Sequence, residues 1–467
     1  MQKRLTSWLT LKKFSLIAIL FLYSCSEHDA PTPHPTPTPT PTPNPNPGTL
    51  PSELCHSNVV DGYTDKTSYY PDEKIIAYLQ TNKAVNLCRL DVYSMDGKIA
   101  FSIASPLVVQ QMNSSDPSVD GYGYAPTVEF DIPKHIKSGM YQIENSIPFI
   151  IKTKEQVDLA IVYPSNTVNA YCLSGGRSLY SVDNKPTAVS FLRPMGIQPF
   201  SVQCMSWFHE LESVRIGYLA DSDLDDFSSI ENAKILVVVG HNEYWTRKAR
   251  VNFDAFVDGG KHALILSGNT MWWQVRYSED EHKQLICYKQ APDPVSDPLL
   301  KTINWDNSEL QYSIISSIGA DFPRGGYGLK IDNGWNGYKI TSPDSPLLEG
   351  LNLKKGDVIS VPTTEWDGAP ISSFDSDGFP ILDKMAMNVD QVELIGFDIG
   401  FRINETYGTF FVMKKTSASG VIINTSSTDW CSNSGMGGNS GDAIKQITRN
   451  AIDKLLSDQN VFSKKSI

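Results

Sequence analysis

Between Leu54 and Lys154 apolar side chains recur at every second position, as in "KIIAYLQT", "CRLDVYSM", "KIAFSIA", "TVEFDI", "GMYQIEN" and "PFIIK". A period of two puts one face of a strand in a core and the other in water. Turn signals ("YYPDEK", "MDGK", "HIKSGM") separate these runs, so residues 54–154 predict an immunoglobulin-like β-sandwich. No cluster of titratable residues interrupts the pattern, and a packing and spacer role is expected over a glycan-binding one.

At Val157 the alternation stops. "DLAIVYPS", "AKILVVVG", "KHALILSG" and "ASGVIINTS" are continuous apolar runs, with "RIGYLA" as a shorter one. Between them "SWFHELESV", "TRKARVNFDAFVDGG" and "AIKQITRNAIDKLL" carry helical spacing. Strands buried on both faces that alternate with helices predict an α/β domain over 157–460, a mainly parallel sheet flanked by helices. In such sheets ligands bind beyond the carboxyl ends of the strands.

That rule singles out the residues after each run. "ILVVVGHNEYWT" presents His241, Glu243 and Tyr244 at one strand end, and "ALILSGN" presents Asn269 at the next. "IVYPSNTVNAY" and "GGRSLY" bring Tyr171 and Tyr180 off a third. Taken singly, a buried His or Tyr packs with one satisfied hydrogen bond. Asp221, Ser222 and Asp223 in "ADSDLDD" read as a solvated turn or helix cap, and Glu365 and Asp367 in "TTEWDG" as a turn.

The amino terminus sets the compartment. Lys3, Arg4, Lys12 and Lys13 precede the apolar "FSLIAILFLYS", too short to span a bilayer. The stretch ends in "LYSC", which resembles a bacterial lipobox and implies cleavage before a lipidated Cys25. Residues 1–25 therefore read as a lipoprotein signal and 26–53 as a Pro/Thr-rich linker, whose alternating prolines favour an extended, stiff spacer. The expected location is the bacterial cell envelope, lipid-anchored to the outer membrane through Cys25, with a periplasmic or secreted protein as the alternative. Six cysteines remain in an oxidising setting, without a CxxC pair, so disulfides are expected and a thiolate zinc site is not. Cys55 with Cys88 is the first choice of bridge. A net charge of −12 excludes a nucleic-acid partner.

Several segments taken together resemble one family. "GHNEYWT", "FVDGGKHALILSGNTMWWQVR", "NTSSTDWC" and "ITRNAIDKLL", spread over Val157 to Leu456, are similar to the catalytic region of the N,N-dimethylformamidase large (beta) subunit. The resemblance implies a fold like class I glutamine amidotransferases and hydrolysis of an amide with a mononuclear ferric ion, Fe3+, held by two tyrosines and a glutamate. Carried over, the metal ligands are Tyr171, Tyr180 and Glu243, with Tyr218 and Tyr244 as rival tyrosines. His241 becomes the acid–base group, Asn269 an oxyanion donor, and Glu365 a second carboxylate for activating water. Phenolate and carboxylate oxygens are hard donors suited to a small trivalent cation. Ser267, Gly268, Asn269 and Thr270 stand where an amidotransferase would carry its nucleophilic cysteine, which removes the covalent route. The expected function is metal-dependent amide (C–N) hydrolysis on a small-molecule or glycan-derived amide. The competing expectation is a non-catalytic surface glycan-binding or assembly protein. Replacing Cys25 by Ser is expected to move the protein from the membrane to the soluble fraction on fractionation; unchanged partitioning of a processed chain would rule out the anchor.

Overall fold

The computed structural model describes residues 50–464 apart from 57, 281–282, 290 and 330–331. The expected signal sequence, Cys25 and the proline-rich stretch to Gly48 lie outside the described residues.

Two sheets occupy the first hundred described residues. Val59–Thr64, Lys74–Thr81 and Val128–Asp131 form a three-stranded antiparallel sheet. A five-stranded sheet runs Ser68–Tyr69, Ile147–Ile151, Gly139–Ile143, Val85–Ser94 and Ile99–Leu107. The alternation in "KIIAYLQT" turns Ile75, Ala77 and Leu79 inward, where they share one core with Leu90, Val92, Phe101 and Phe149 of the other sheet. A Cys55–Cys88 disulfide closes one end.

The second half is built on one large sheet. Five strands are parallel, in the order Ile216–Ala220, Val157–Tyr163, Ala233–His241, His262–Gly268 and Val421–Asn424. The sheet then continues antiparallel through Glu405–Lys414, Gln391–Phe401, Gly326–Tyr327 and Glu365–Gly368. This corrects the expected fold: the chain is not a mainly parallel, amidotransferase-like α/β domain but mostly β-sheet, mixed and antiparallel, with few helices. The difference arises between His262–Gly268 and Val421–Asn424, where the chain inserts a long antiparallel hairpin pairing Gln391 with Lys414 through Phe401 with Glu405. Both hairpin strands are buried on two faces over much of their length. Two-sided burial erases the period of two that marks an antiparallel strand.

One face of the sheet is covered by the helices Val202–His209 and Gly441–Leu456, the other by Arg247–Asp258. Arg247–Asp258 starts on Thr246, whose Oγ1 accepts from Ala249 N, and sends Phe253, Phe256 and Val257 inward. Among the described residues no helix is long and apolar enough to cross a membrane.

Asp221 and Asp223, read from sequence as a solvated turn, are buried instead. They sit where the two halves meet. Asp223 accepts from Lys152 Nζ at 2.7 Å, Ser68 Oγ at 2.9 Å and Ala220 N at 2.8 Å. Asp221 accepts from Asn166 N at 2.8 Å and Asn242 Nδ2 at 3.1 Å, and burial pushes its carboxyl up to about 7. A run of acids looks solvated by composition, yet here the short side chains reach backbone donors inside the junction. The Lys152–Asp223 pair leaves only 11% and 8% of the side chains exposed. Breaking a buried pair leaves an uncompensated charge, so Asp223→Ala should cost about 3–5 kcal/mol. Urea unfolding measures this, and a loss below about 0.5 kcal/mol would show that the junction does not depend on it.

Candidate active site

The Ala233–His241 and His262–Gly268 strands lie side by side, with His241 level with Gly268. At Gly240 the backbone turns through φ 73°, and a Cβ there would lie 2.6 Å from Gln198 Oε1. The contact is close because Gln198 grips the next residue twice. His241 N donates to Gln198 Oε1, and Gln198 Nε2 donates to the His241 carbonyl, each at 2.9 Å. The edge of Phe200 then flanks the imidazole at 5.8 Å.

Two residues on, Glu243 N donates to Thr167 Oγ1 at 2.9 Å. Its carboxylate, almost fully buried, accepts from Tyr180 OH at 2.8 and 2.9 Å and from Trp273 Nε1 at 2.9 Å. Tyr171 ends the short helix Ser165–Tyr171, and its ring stacks on Tyr180 at 4.0 Å. Both tyrosines expose 40% of their surface, yet their hydroxyls lie in a desolvated interior beside Glu243. The rings are the open wall and the oxygens the floor. Burial first, and the Glu243 charge second, hold the Tyr171, Tyr180 and Tyr244 phenols well above their usual range.

Glu365 arrives from the antiparallel half of the sheet. It begins the Glu365–Gly368 strand, where a turn was expected from "TTEWDG". Its Oε2 lies 3.3 Å from His241 Nε2 and accepts from Asn269 Nδ2 at 2.9 Å. Asn269 adopts φ 48° directly after its strand, which aims the amide back between Glu365 and His241 Nε2, 3.4 Å away. His241 Nε2 is also 3.5 Å from Glu243 Oε2. Burial raises the Glu365 carboxyl, the His241 charge lowers it and Glu243 raises it again.

His241, Glu243, Asn269, Glu365, Tyr171 and Tyr180 thus stand in one cluster. The rival tyrosines stand apart in role. Tyr244 OH donates to Tyr180 OH at 2.8 Å from behind, and Tyr218 is buried in the core beside Cys204 and Tyr141. Two cavities of about 380 and 370 Å³ open elsewhere, at the starts of the parallel strands near Val157, Ala233 and His262.

Among the described residues no group of three or more His, Cys, Asp or Glu is arranged to hold a metal ion. The tyrosine–glutamate set is of another kind, and it fits a small hard cation. Two phenols and a carboxylate are hard oxygen donors of the kind a small trivalent cation takes. Phenols pushed up by burial ionise only where a cation balances them.

Residues 85–440 match the family model described as N,N-dimethylformamidase beta subunit-like, C-terminal. The chain belongs to this family. A comparison with curated proteins gave no match. Among solved structures, a thua-like protein from Bacteroides uniformis is similar at 10% identity, over 66% of this chain and 95% of that one, with a TM-score of 0.35.

The dimethylformamidase-like region begins at 85, well before the Val157 at which the sequence resemblance was placed, so the first β unit belongs to it in large part. The structure gives that unit work at the site. Its segment 108–127 reaches across to the loop between Tyr171 and Tyr180. There Gly175 N donates to Tyr122 OH at 3.1 Å, Arg177 pairs with Asp116, and Tyr122 N donates to the Leu192 carbonyl at 2.9 Å. From inside, the fully buried Arg193 donates to the carbonyls of Asn169, Ser174, Arg177 and Ser190. The tyrosine loop is clamped on both sides.

Sequence reasoning missed Trp273 and Lys289. Trp273 read as a core aromatic in "GNTMWWQVR"; its indole N–H on Glu243 gives it a polar task. Lys289 had no signal at all. Its ammonium lies 3.2 Å from the centre of the Tyr180 ring, and burial brings its pKa down to about 8 against the pull of Glu243.

Gly240→Ala should destabilise the chain by about 1–2 kcal/mol from backbone strain, and by more once Gln198 is displaced. Gly176→Ala is the comparison, with φ 89° and nothing within 4 Å of the new Cβ. Urea unfolding of both should show the larger loss at Gly240; equal losses would mean that the Gln198 grip is not tight.

Proposed function

We propose that this chain is a metal-dependent hydrolase of amide C–N bonds, with iron held by Tyr171, Tyr180 and Glu243. The observation that carries the reading is the Glu243 carboxylate, which takes the Tyr180 hydroxyl and lies 3.5 Å from a histidine already paired with a second carboxylate. Family membership supports the same class of chemistry.

When bound, a ferric ion supplies Lewis acidity that polarises a carbonyl and acidifies water. The rest is the work of side chains. His241 and Glu365, 3.3 Å apart, form a pair that accepts a proton from water at one atom and returns one to the departing nitrogen. Asn269 holds Glu365 through Nδ2, which also stands 3.4 Å from His241 Nε2, and so keeps the two halves of the pair in place. Trp273 and Tyr244 keep Glu243 and Tyr180 from turning away. Lys289 keeps a positive charge beside a site rich in carboxylates.

The substrate is a small-molecule or glycan-derived amide, taken up at the exposed side of the Tyr171 ring, since the Tyr180 ring lies between Tyr171 and the Lys289 ammonium. The same exposed ring favours a second reading, a non-catalytic site that holds a glycan by stacking. In either case the basic residues 3–13 and the "LYSC" stretch support a lipid-anchored protein of the cell envelope.

Metal analysis with visible absorption, together with turnover on a panel of N-acyl compounds, tests the reading. Glu243→Gln removes the anionic donor while keeping its shape, so bound iron should fall at least tenfold. His241→Ala should keep the iron and lower kcat by roughly 10²–10⁴. Iron at the wild-type level in Glu243→Gln would overturn the ligand set. An iron-free, colourless wild-type chain that binds glycans would leave the second reading.

A further inference from the structure

Among the described residues four cysteines lie outside the Cys55–Cys88 bridge: Cys172, Cys204, Cys287 and Cys431. Two of them meet. Cys204 lies in the helix Val202–His209, and its N–H donates to the Cys431 carbonyl at 3.2 Å. An amide nitrogen is about 1.5 Å from its own Cα and a carbonyl oxygen about 2.4 Å from its own. That hydrogen bond therefore holds the two Cα atoms near the 4.4–6.8 Å a disulfide spans. Both side chains are fully buried in one core cluster, where Cys431 Sγ donates to the Leu266 carbonyl at 3.5 Å.

We propose that Cys204 and Cys431 form a second disulfide in the mature protein. An environment that oxidises Cys55 and Cys88 also acts on a second pair whose backbones are hydrogen-bonded to each other. The two thiols lose two protons and two electrons as the S–S bond forms, and a disulfide-bearing oxidant, such as a thiol–disulfide oxidoreductase, is reduced to two thiols. Burial pushes the Cys204 thiol up, so exchange runs while the chain is still closing and the finished core protects the bond.

The bond joins two backbones that seat opposite halves of the acid–base pair. Upstream of Cys204, Gln198 grips His241, and Ser201 caps the turn onto Gln198 through its hydroxyl at 3.1 Å. Upstream of Cys431, Thr428 N donates to the Glu365 carbonyl at 3.2 Å, and Asp429 accepts from Thr364 N at 2.7 Å. Gln203 Nε2 donates to Asn433 Oδ1 at 2.6 Å beside the same contact. The disulfide is a staple between the His241 seat and the Glu365 seat.

Peptide mapping of the full chain, made in an oxidising compartment, alkylated while denatured and digested without reductant, reads the answer directly. A linked peptide containing Cys204 and Cys431 is expected beside the one containing Cys55 and Cys88. Alkylated, free Cys204 and Cys431 overturn the proposal, whatever the state of the first pair. The double variant Cys204→Ser, Cys431→Ser supplies a second readout. A bond closing so long a loop should raise the thermal midpoint by roughly 5 °C, a gap that closes when both proteins are reduced. Equal midpoints without reductant also overturn it.

Discussion

A carboxylate with almost no access to water sits just beyond the end of the buried strand Ala233–His241. Glu243 is 2% exposed, and an isolated buried charge costs several kcal/mol unless neighbours restore what water supplied. The neighbours are visible. Tyr180 and Trp273 donate to it, Thr167 fixes its backbone, and the Lys289 ammonium stands across the Tyr180 ring. Two of these neighbours are themselves perturbed by the arrangement: burial pushes the Tyr180 phenol up and the Lys289 ammonium down.

The second constraint is topological. Parallel strands alone deliver His241, Glu243 and Asn269 to one edge, as the rule for open sheets anticipates. Glu365 cannot come that way. It reaches His241 because the sheet continues antiparallel beyond Val421–Asn424 and brings Glu365–Gly368 back across the strand ends, where Trp366 bridges to Ser427. Approach is close enough that a Cβ on Gly268 would lie 2.7 Å from the Glu365 carbonyl and 2.4 Å from Thr428 N. Only glycine permits that crossing.

This explains what could be read beforehand. Runs such as "ILVVVG" announce buried strands, and the residues that follow them are strand-end residues by necessity, so His241, Glu243 and Asn269 were legible from pattern. Tyr171 and Tyr180 were reached as residues following a third strand end, but their role as ligands, and the place of Glu365, needed the family resemblance. The mixed sheet was illegible: "VELIGFDIGF" is buried on both faces, Glu393 and Asp398 included, and shows no clean alternation, although it pairs antiparallel with Glu405–Lys414. Asp221 and Asp223 misled for the opposite reason. Their composition is that of solvent, and only the fold supplies the Lys152 and Asn166 donors that bury them.

The first β unit looked like a spacer because it carries no chemistry of its own. Its contribution lies in what it holds. The loop from Tyr171 to Tyr180 contains Gly175 and Gly176, both at positive φ, and a segment so permissive has many conformations to lose on ordering. Its place is set from two directions: Arg193 satisfies its carbonyls from within, while Tyr122 and Asp116 fasten Gly175 and Arg177 from the β unit. Close packing leaves no slack at this contact, since a Cβ on Gly175 would meet Ser118 N at 2.5 Å. Removing the β unit would free one side of the loop that carries Tyr180 and widen its separation from Glu243. The family match from residue 85 onward takes in this bracing segment together with the tyrosines.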